Sequence, residues 1–429
     1  MDTPITPNPV RANTSASSNL RWQYVVPTLF IMQAIYMIAK INVGIVMAFP
    51  PFQKVMGLVG KPAMASLLMT LFLVAYGAAM PFWGMVSDRW GPRVTAIAGT
   101  LVGMAAMVLS AAAPNLTVLY VARIALGLGL AVVWPVANHM SARWFPVVER
   151  SQVSGLWIGG INFGIVVAGL TIPELLASAG WRAVFALSAA FGLILLALFL
   201  FVTRDEPRQV SKISDAEIAL IEGGNLKHTD VVPEHDVSGG RSALANYRFW
   251  LLTVSNIATG MGIFGLNTWL PTYLTKVRHL TLAGSGVYTS IAWFVGIFVC
   301  AFWGRWSDKV VRRAPFGLIG YLVYALALLG ATMTTNVTVA MVLIGITILA
   351  VQSTTVIVFS LLHSLGSEHR MGSGAGWLSG LSNFVGAFAP LIMGAILQAS
   401  GNWGASFGFL TGMALLSAVL MGIMIPQRY

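Results

Sequence analysis

Two cations, Lys40 and Arg123, stand inside long apolar stretches that hold no carboxylate. An ionised side chain in such surroundings is costly unless something neutralises it. None of the 14 Asp and Glu residues falls in the core of an apolar stretch, so the neutralising charge is expected from outside the chain, as an anion. Arginine offers a planar fork that matches a carboxylate, and lysine a compact point charge. The plainer reading is that each cation reaches along its stem to a nearby polar boundary. Two of them in one chain favour an anion site.

Neutral groups that complete such a site fall into the same pattern. Gln33, Tyr36, Lys40 and Gly44 share one face at helical spacing, and Gly127, Leu130 and Trp134 continue the face of Arg123. Asn162 and Asn383 stand at matching places in the two halves of the chain. An amide both donates and accepts, so it can orient a ligand's hydroxyls or second carboxylate oxygen, or simply hold helices together. Gln352 opens a polar run, Gln352-Ser-Thr-Thr355, among Ile and Val, and Asn256 and Asn267 lie on one face of another stretch. Tyr36, Tyr76, Trp134, Trp269 and Trp377 are candidate aromatic walls, each with packing or interface anchoring as its plainer role. The candidate anion site is therefore Lys40, Arg123, Tyr36, Tyr76, Asn162, Gln352 and Asn383. No catalytic pair, metal-ligand spacing or nucleotide loop stands out, and no cofactor or metal is expected. Gly159-Gly160 and Gly372-Ser-Gly-Ala-Gly376 lack the strand and Lys-Ser/Thr setting of a phosphate loop.

The elements that must carry these residues follow from composition. The chain is 57% hydrophobic and 9% charged, against about 25% charged residues in a soluble protein. Apolar runs of about 20 residues, enough to cross ~30 Å of hydrocarbon as a helix, recur along its length. Twelve spans are expected, at 23–49, 63–86, 94–113, 115–142, 152–174, 181–203, 248–275, 283–304, 315–334, 337–362, 372–398 and 404–425. They divide into six-helix bundles over 23–203 and 248–425, with a tail at 1–22, a hydrophilic linker at 204–247 and a short end at 426–429. In the linker, Ile213, Ile218 and Ile221 predict a weakly amphipathic helix lying on the membrane surface. The lone Cys300 excludes a disulfide.

The net charge of +11 is spread over short loops, which excludes a nucleic-acid domain. Placing both termini in the cytoplasm puts 18 of the 25 Lys and Arg on that side and five outside, as the positive-inside rule requires. A cell (inner) membrane location follows as an expectation.

The chain also repeats itself. Gly84-Met-Val-Ser-Asp88-Arg-Trp-Gly91-Pro-Arg93 returns in shortened form as Gly304-Arg-Trp-Ser-Asp308-Lys, an offset of 220 residues. The same offset carries Arg150, Trp157 and Gly160 onto Arg370, Trp377 and Gly380. Asp88 is placed to cap the start of the third span, and Arg89 and Arg93 to hold the ends of neighbouring spans, with Asp308 doing the same in the second half.

On these residues the sequence resembles the major facilitator superfamily over almost its full length. Gly84 to Arg93 is similar to the superfamily signature between spans two and three, with Pro92 where a basic residue is usual. Ala142-Arg-Trp-Phe-Pro146 followed by Glu149-Arg150, Ile213-Ser-Asp-Ala-Glu217 before Gly223-Gly224, and Trp269-Leu-Pro-Thr-Tyr273 resemble its anion:cation symporter family of organic-acid and sugar-acid permeases.

The resemblance implies an all-α membrane fold of twelve transmembrane helices in two pseudo-symmetric bundles. It also implies secondary active transport of a small organic anion by alternating access, with spans one and four lining the cavity. Gly84, Asp88, Arg89, Arg93 and Asp308 become latches between transport states. The expected partners are the anion and the lipid bilayer, with the monomer as the working unit.

One departure matters. The family's proton-carrying carboxylates align with Ala39 and Leu130, and Lys40 stands where arginine is more usual. Uniport or exchange, another coupling cation, or protons carried by His139, His363 or the substrate itself all stay open. An anion exchanger or exporter of another organic anion, or a non-transporting membrane sensor with this fold, are the alternatives in function.

Overall fold

A chain segment in hydrocarbon must satisfy its backbone polar groups internally, and all the regular structure described here is helical. The computed structural model describes residues 20–210, 213–229, 247–308, 314–365 and 371–425. The first six spans are Leu20–Met47, Pro62–Trp90, Pro92–Ala112, Leu116–Leu130 continuing as Val133–Trp144, and a long helix Val147–Ala197 that makes both spans 5 and 6. The second six are Tyr247–Lys276, Leu282–Asp308, Ala314–Met333, Val337–Leu365, Met371–Gly386 continuing as Ala389–Ser400, and Trp403–Met424.

Three departures from the expected spans have local causes. Spans 5 and 6 are parted only at Gly180, whose φ of 79° suits a residue without a side chain. Span 4 loosens at Ala131 and Val132, where ψ falls to −11° and −20°. Span 11 is interrupted ahead of Pro390, which has no N–H for the carbonyl four residues earlier.

The linker forms the expected helix, Asp215–Thr229. It docks on the first bundle through Glu217, whose side chain is fully buried. Arg21, at the start of span 1, meets Glu217 at 2.8 Å and Glu149, at the start of span 5, at 3.0 Å. Its backbone N–H also donates to Glu217 Oε1 at 3.2 Å. A buried carboxylate needs such partners. Ile221, one turn further on, is buried beside it.

The two bundles are fastened to each other at one end. Call the end that carries the linker the linker face, and the other the far face. Across the far face, Ser290 Oγ donates to the Val166 carbonyl at 3.0 Å, Lys276 Nζ to Gln53 Oε1 at 3.0 Å and Ala63 N–H to Gln398 Oε1 at 3.3 Å. Small residues allow the helices to approach there. A Cβ on Gly44 would lie 2.6 Å from the Asn267 carbonyl oxygen, and Gly286 packs directly on the carbonyl of Gly169.

Candidate functional site

Span 1 runs through the middle of the molecule, and its predicted polar face is divided among four neighbours. Gln33 packs against Gly160 of span 5, Tyr36 turns its hydroxyl to Thr100 of span 3 at 2.7 Å, and Gly44 meets span 7. Lys40 lies between them and is half-buried. Its Nζ is 5.3 Å from the ring centre of Tyr76, in span 2, and 4.9 Å from that of Phe264, in span 7. The ammonium is therefore framed by one aromatic ring from each bundle. No carboxylate or hydrogen-bond acceptor pairs with it among the described residues.

Arg123 lies beside it but in different circumstances. It is fully buried, and its Nε donates to the Leu68 carbonyl at 3.0 Å. Nη2 and Nη1 donate to the carbonyls of Lys40 and Ala39 at 3.2 and 3.5 Å. A helix carbonyl has two lone pairs, so it can accept from an arginine as well as from its own helix. The guanidinium also stands 4.8 Å over Phe72, and Phe72 stacks on Tyr76 with ring centres 5.8 Å apart. The two cations thus flank a short column of rings. Neither cation meets a carboxylate among the described residues, but Arg123 finds backbone carbonyls that a one-dimensional reading cannot place, and Lys40 finds none.

The neutral candidates are dispersed. Gln352 lies against Gly296 of span 8, and its Nε2 is buried without a partner among the described residues. Asn162 is half-buried, and Asn383 is exposed with its amide donating to Ser379 of its own helix at 2.9 Å. Asn256 donates to Ser382 of span 11 at 2.8 Å, while Asn267 bonds back to Ile263 at 2.9 Å. Trp134 packs edge-on against Trp157, and Trp269 donates to the Pro390 carbonyl at 3.0 Å. The side chain of Trp377 lies outside the described residues. Phe264 is the site residue missed by sequence reasoning: an aromatic in an apolar span carries no local signal that it will face a cation from the other bundle.

The latch residues are arranged differently from expectation. The Asp88 side chain is 80% exposed and lies 3.7 Å from His139 Nδ1, away from the start of span 3, so it does not cap that span. Asp205 does, accepting the Arg93 N–H at 2.8 Å. Its carboxylate fills the place a side chain on Gly91 would take, and Gly91 has a φ of 84°. Arg93 holds the end of span 6 as expected of a tie between spans, donating to the Phe199 and Leu200 carbonyls at 2.6 Å each. Gly84 is half-buried with open space beside it, and Arg89 is exposed. The side chain of Asp308 lies outside the described residues, as do those of Gly304 to Lys309 and His363. His139, a candidate proton carrier, is bonded to Ser87 at 2.8 Å. Asp205→Ala is expected to cost about 1 kcal/mol by loss of the cap, read as a lower melting temperature in detergent. Asp88→Ala should leave that temperature nearly unchanged.

The motifs that carried the family resemblance act as fasteners. Trp144 donates to the Arg204 carbonyl at 3.1 Å, Phe145 meets Trp22 edge-on at 5.1 Å, and Arg150 returns to the Ala142 carbonyl at 2.8 Å. In Trp269-Leu-Pro-Thr-Tyr273, Tyr273 accepts from Arg278 at 2.9 Å and donates to the Ala331 carbonyl at 3.3 Å.

A bundle pair zipped at one end, with an uncompensated cation at the junction, is the plan of a rocking carrier. The family model for the Major Facilitator Superfamily matches residues 29–390 and 302–429, and the chain belongs to that superfamily. It is 25% identical over 408 residues to "Probable sulfoacetate transporter" of Cupriavidus necator, covering 92% of this chain and 93% of that one. It is 22% identical to the hexuronate transporter of Bacillus subtilis, covering 82% and 83%. Among solved structures, a bacterial homolog of the human lysosomal transporter Spinster, inward-facing and occupied, superposes with a TM-score of 0.78 at 18% identity, covering 95% of this chain and 98% of that one. The D-xylose-proton symporter gives 0.72 at 16% identity, covering 93% and 97%.

Proposed function

We propose that this protein is a secondary transporter of a small organic anion, a carboxylate, and that Lys40 receives the acid group. The observation that carries the reading is the Lys40 ammonium framed by Tyr76 and Phe264 with no internal counter-charge. Relatives named for sulfoacetate and hexuronate, both acids, support it. Arg123 keeps the neighbouring backbone of spans 1 and 2 in register and adds its field to the site. Asn162, Gln352 and Asn383 supply amides toward the rest of the ligand as the bundles rock. The chemistry is translocation, and no covalent step is assigned to any residue.

The linker face is the cytoplasmic one in this proposal, with both termini inside and the monomer as the working unit. The distribution of Lys and Arg supports that orientation. Purified protein in liposomes, offered labelled glucuronate, benzoate, sulfoacetate and glucose, tests the reading. At least one acid is expected to enter and glucose is not. Entry of glucose alone, or of none of the acids, would overturn it.

A further inference from the structure

We propose that this protein is an obligatory anion exchanger: Lys40, clasped between the bundles without a counter-charge, makes the empty carrier slow to turn and the anion-loaded carrier fast. The inference rests on the reading that Lys40 receives the anion.

The argument begins with which charge changes its surroundings as the bundles rock. Every hydrogen bond of Arg123 goes to spans 1 and 2, and its ring partner Phe72 is also in span 2. It therefore travels with the first bundle, equally solvated whether the site is full or empty. Lys40 is different. One of its two rings, Tyr76, moves with it, and the other, Phe264, belongs to the opposite bundle. Its environment is remade in each cycle.

A ring face attracts an ammonium less strongly than a carboxylate does. While the site is between its two open states, an empty carrier holds that ammonium out of water with only rings beside it. A bound anion removes the deficit. The cost of an ionised side chain at the bilayer centre corresponds to a slowing on the order of a hundredfold.

No described group of the chain is placed to take the anion's part. Asp88 stands twelve residues beyond Tyr76 on span 2, about 18 Å along the helix, and its side chain is 80% exposed. His139, the described candidate for a proton path, is engaged with Ser87 and Asp88 at that same end. Glu174 is exposed at the far-face end of span 5. At the positions beside the two cations stand Ala39 and Leu130, both buried and neutral. Leu130 is turned away, against Gly103 of span 3. With no such group among the described residues, the compensating charge is the cargo itself, in both directions of the cycle, and return without cargo is the slow step.

The test uses the full-length protein in liposomes filled with unlabelled glucuronate or with glucose at equal osmolarity, with labelled glucuronate outside. Benzoate and sulfoacetate pairs are run in parallel. Uptake into anion-filled vesicles is expected to be at least about thirtyfold faster than into glucose-filled ones, and indifferent to an imposed potassium diffusion potential, because like-for-like exchange moves no net charge. Equal rates into the two kinds of vesicle, or a potential-dependent rate into filled ones, would overturn exchange while leaving anion transport intact. If no anion moves in either, the transport reading fails and this inference with it.

A second measurement needs no ligand. Fluorescent labels at Gln53→Cys and Lys276→Cys, in a Cys300→Ser background, report opening of the far face. Without anion, opening and closing should be at least about tenfold faster in Lys40→Gln than with Lys40 intact. Equal rates would sink the charge explanation.

Discussion

Lys40→Gln is expected to weaken binding of the transported acid by roughly 10- to 150-fold, the worth of a hydrogen-bonded charge contact, while leaving the fold intact. The side chain packs between two rings and donates to no described protein group, so its loss leaves no buried acceptor unpaired. Lys40→Arg should fall between. It keeps the charge, but a planar guanidinium is longer than the ammonium that now sits 4.9 and 5.3 Å from the two ring centres. Titrating the purified protein with the acid found by the uptake panel, and following its thermal shift, measures both. Undiminished affinity in Lys40→Gln would remove Lys40 from the site. Arg123→Gln provides a contrast: three backbone carbonyls lose their donor, so expression and melting temperature should fall along with affinity.

Arg21→Ala is expected to lower stability by roughly 3–5 kcal/mol, because it removes the cationic partner of a carboxylate buried inside the protein. The Glu217 side chain is fully buried and that of Arg21 is 4% exposed, so water cannot replace the lost partner. Glu217→Gln should cost less, since the amide remains able to accept from Arg21. The readout is the melting temperature in detergent and the ease with which a protease cuts the linker. Anion affinity should be unchanged, since Arg21 lies nineteen residues from Lys40, about 28 Å along span 1. A melting temperature unmoved by Arg21→Ala would show that the linker helix is held by something else. The contrast between the two substitutions separates the fastening of the linker face from recognition at the centre.

The apolar segments, the duplication and the membership of the superfamily are properties of the sequence alone. Hydropathy is local and additive, and a run that can cross a bilayer must close its hydrogen bonds as a helix. The isolation of Lys40 and Arg123 from any acid in their own spans is equally legible, because charge in an apolar run stands out without reference to neighbours.

Tertiary structure decided how each of those cations is surrounded. Successive residues on a helix point about 100° apart, so a small rotation of span 4 chooses whether Arg123 faces a cavity or the carbonyls of Leu68, Ala39 and Lys40. Packing between distant segments likewise made Asp205, not Asp88, the cap of span 3, and drew Glu217 under Arg21. It also brought Phe264 from the second bundle to the Lys40 ammonium. The sequence by itself determined that a cation would be stranded in the membrane. Only the meeting of two bundles decided that it would lie between them, framed by one ring from each.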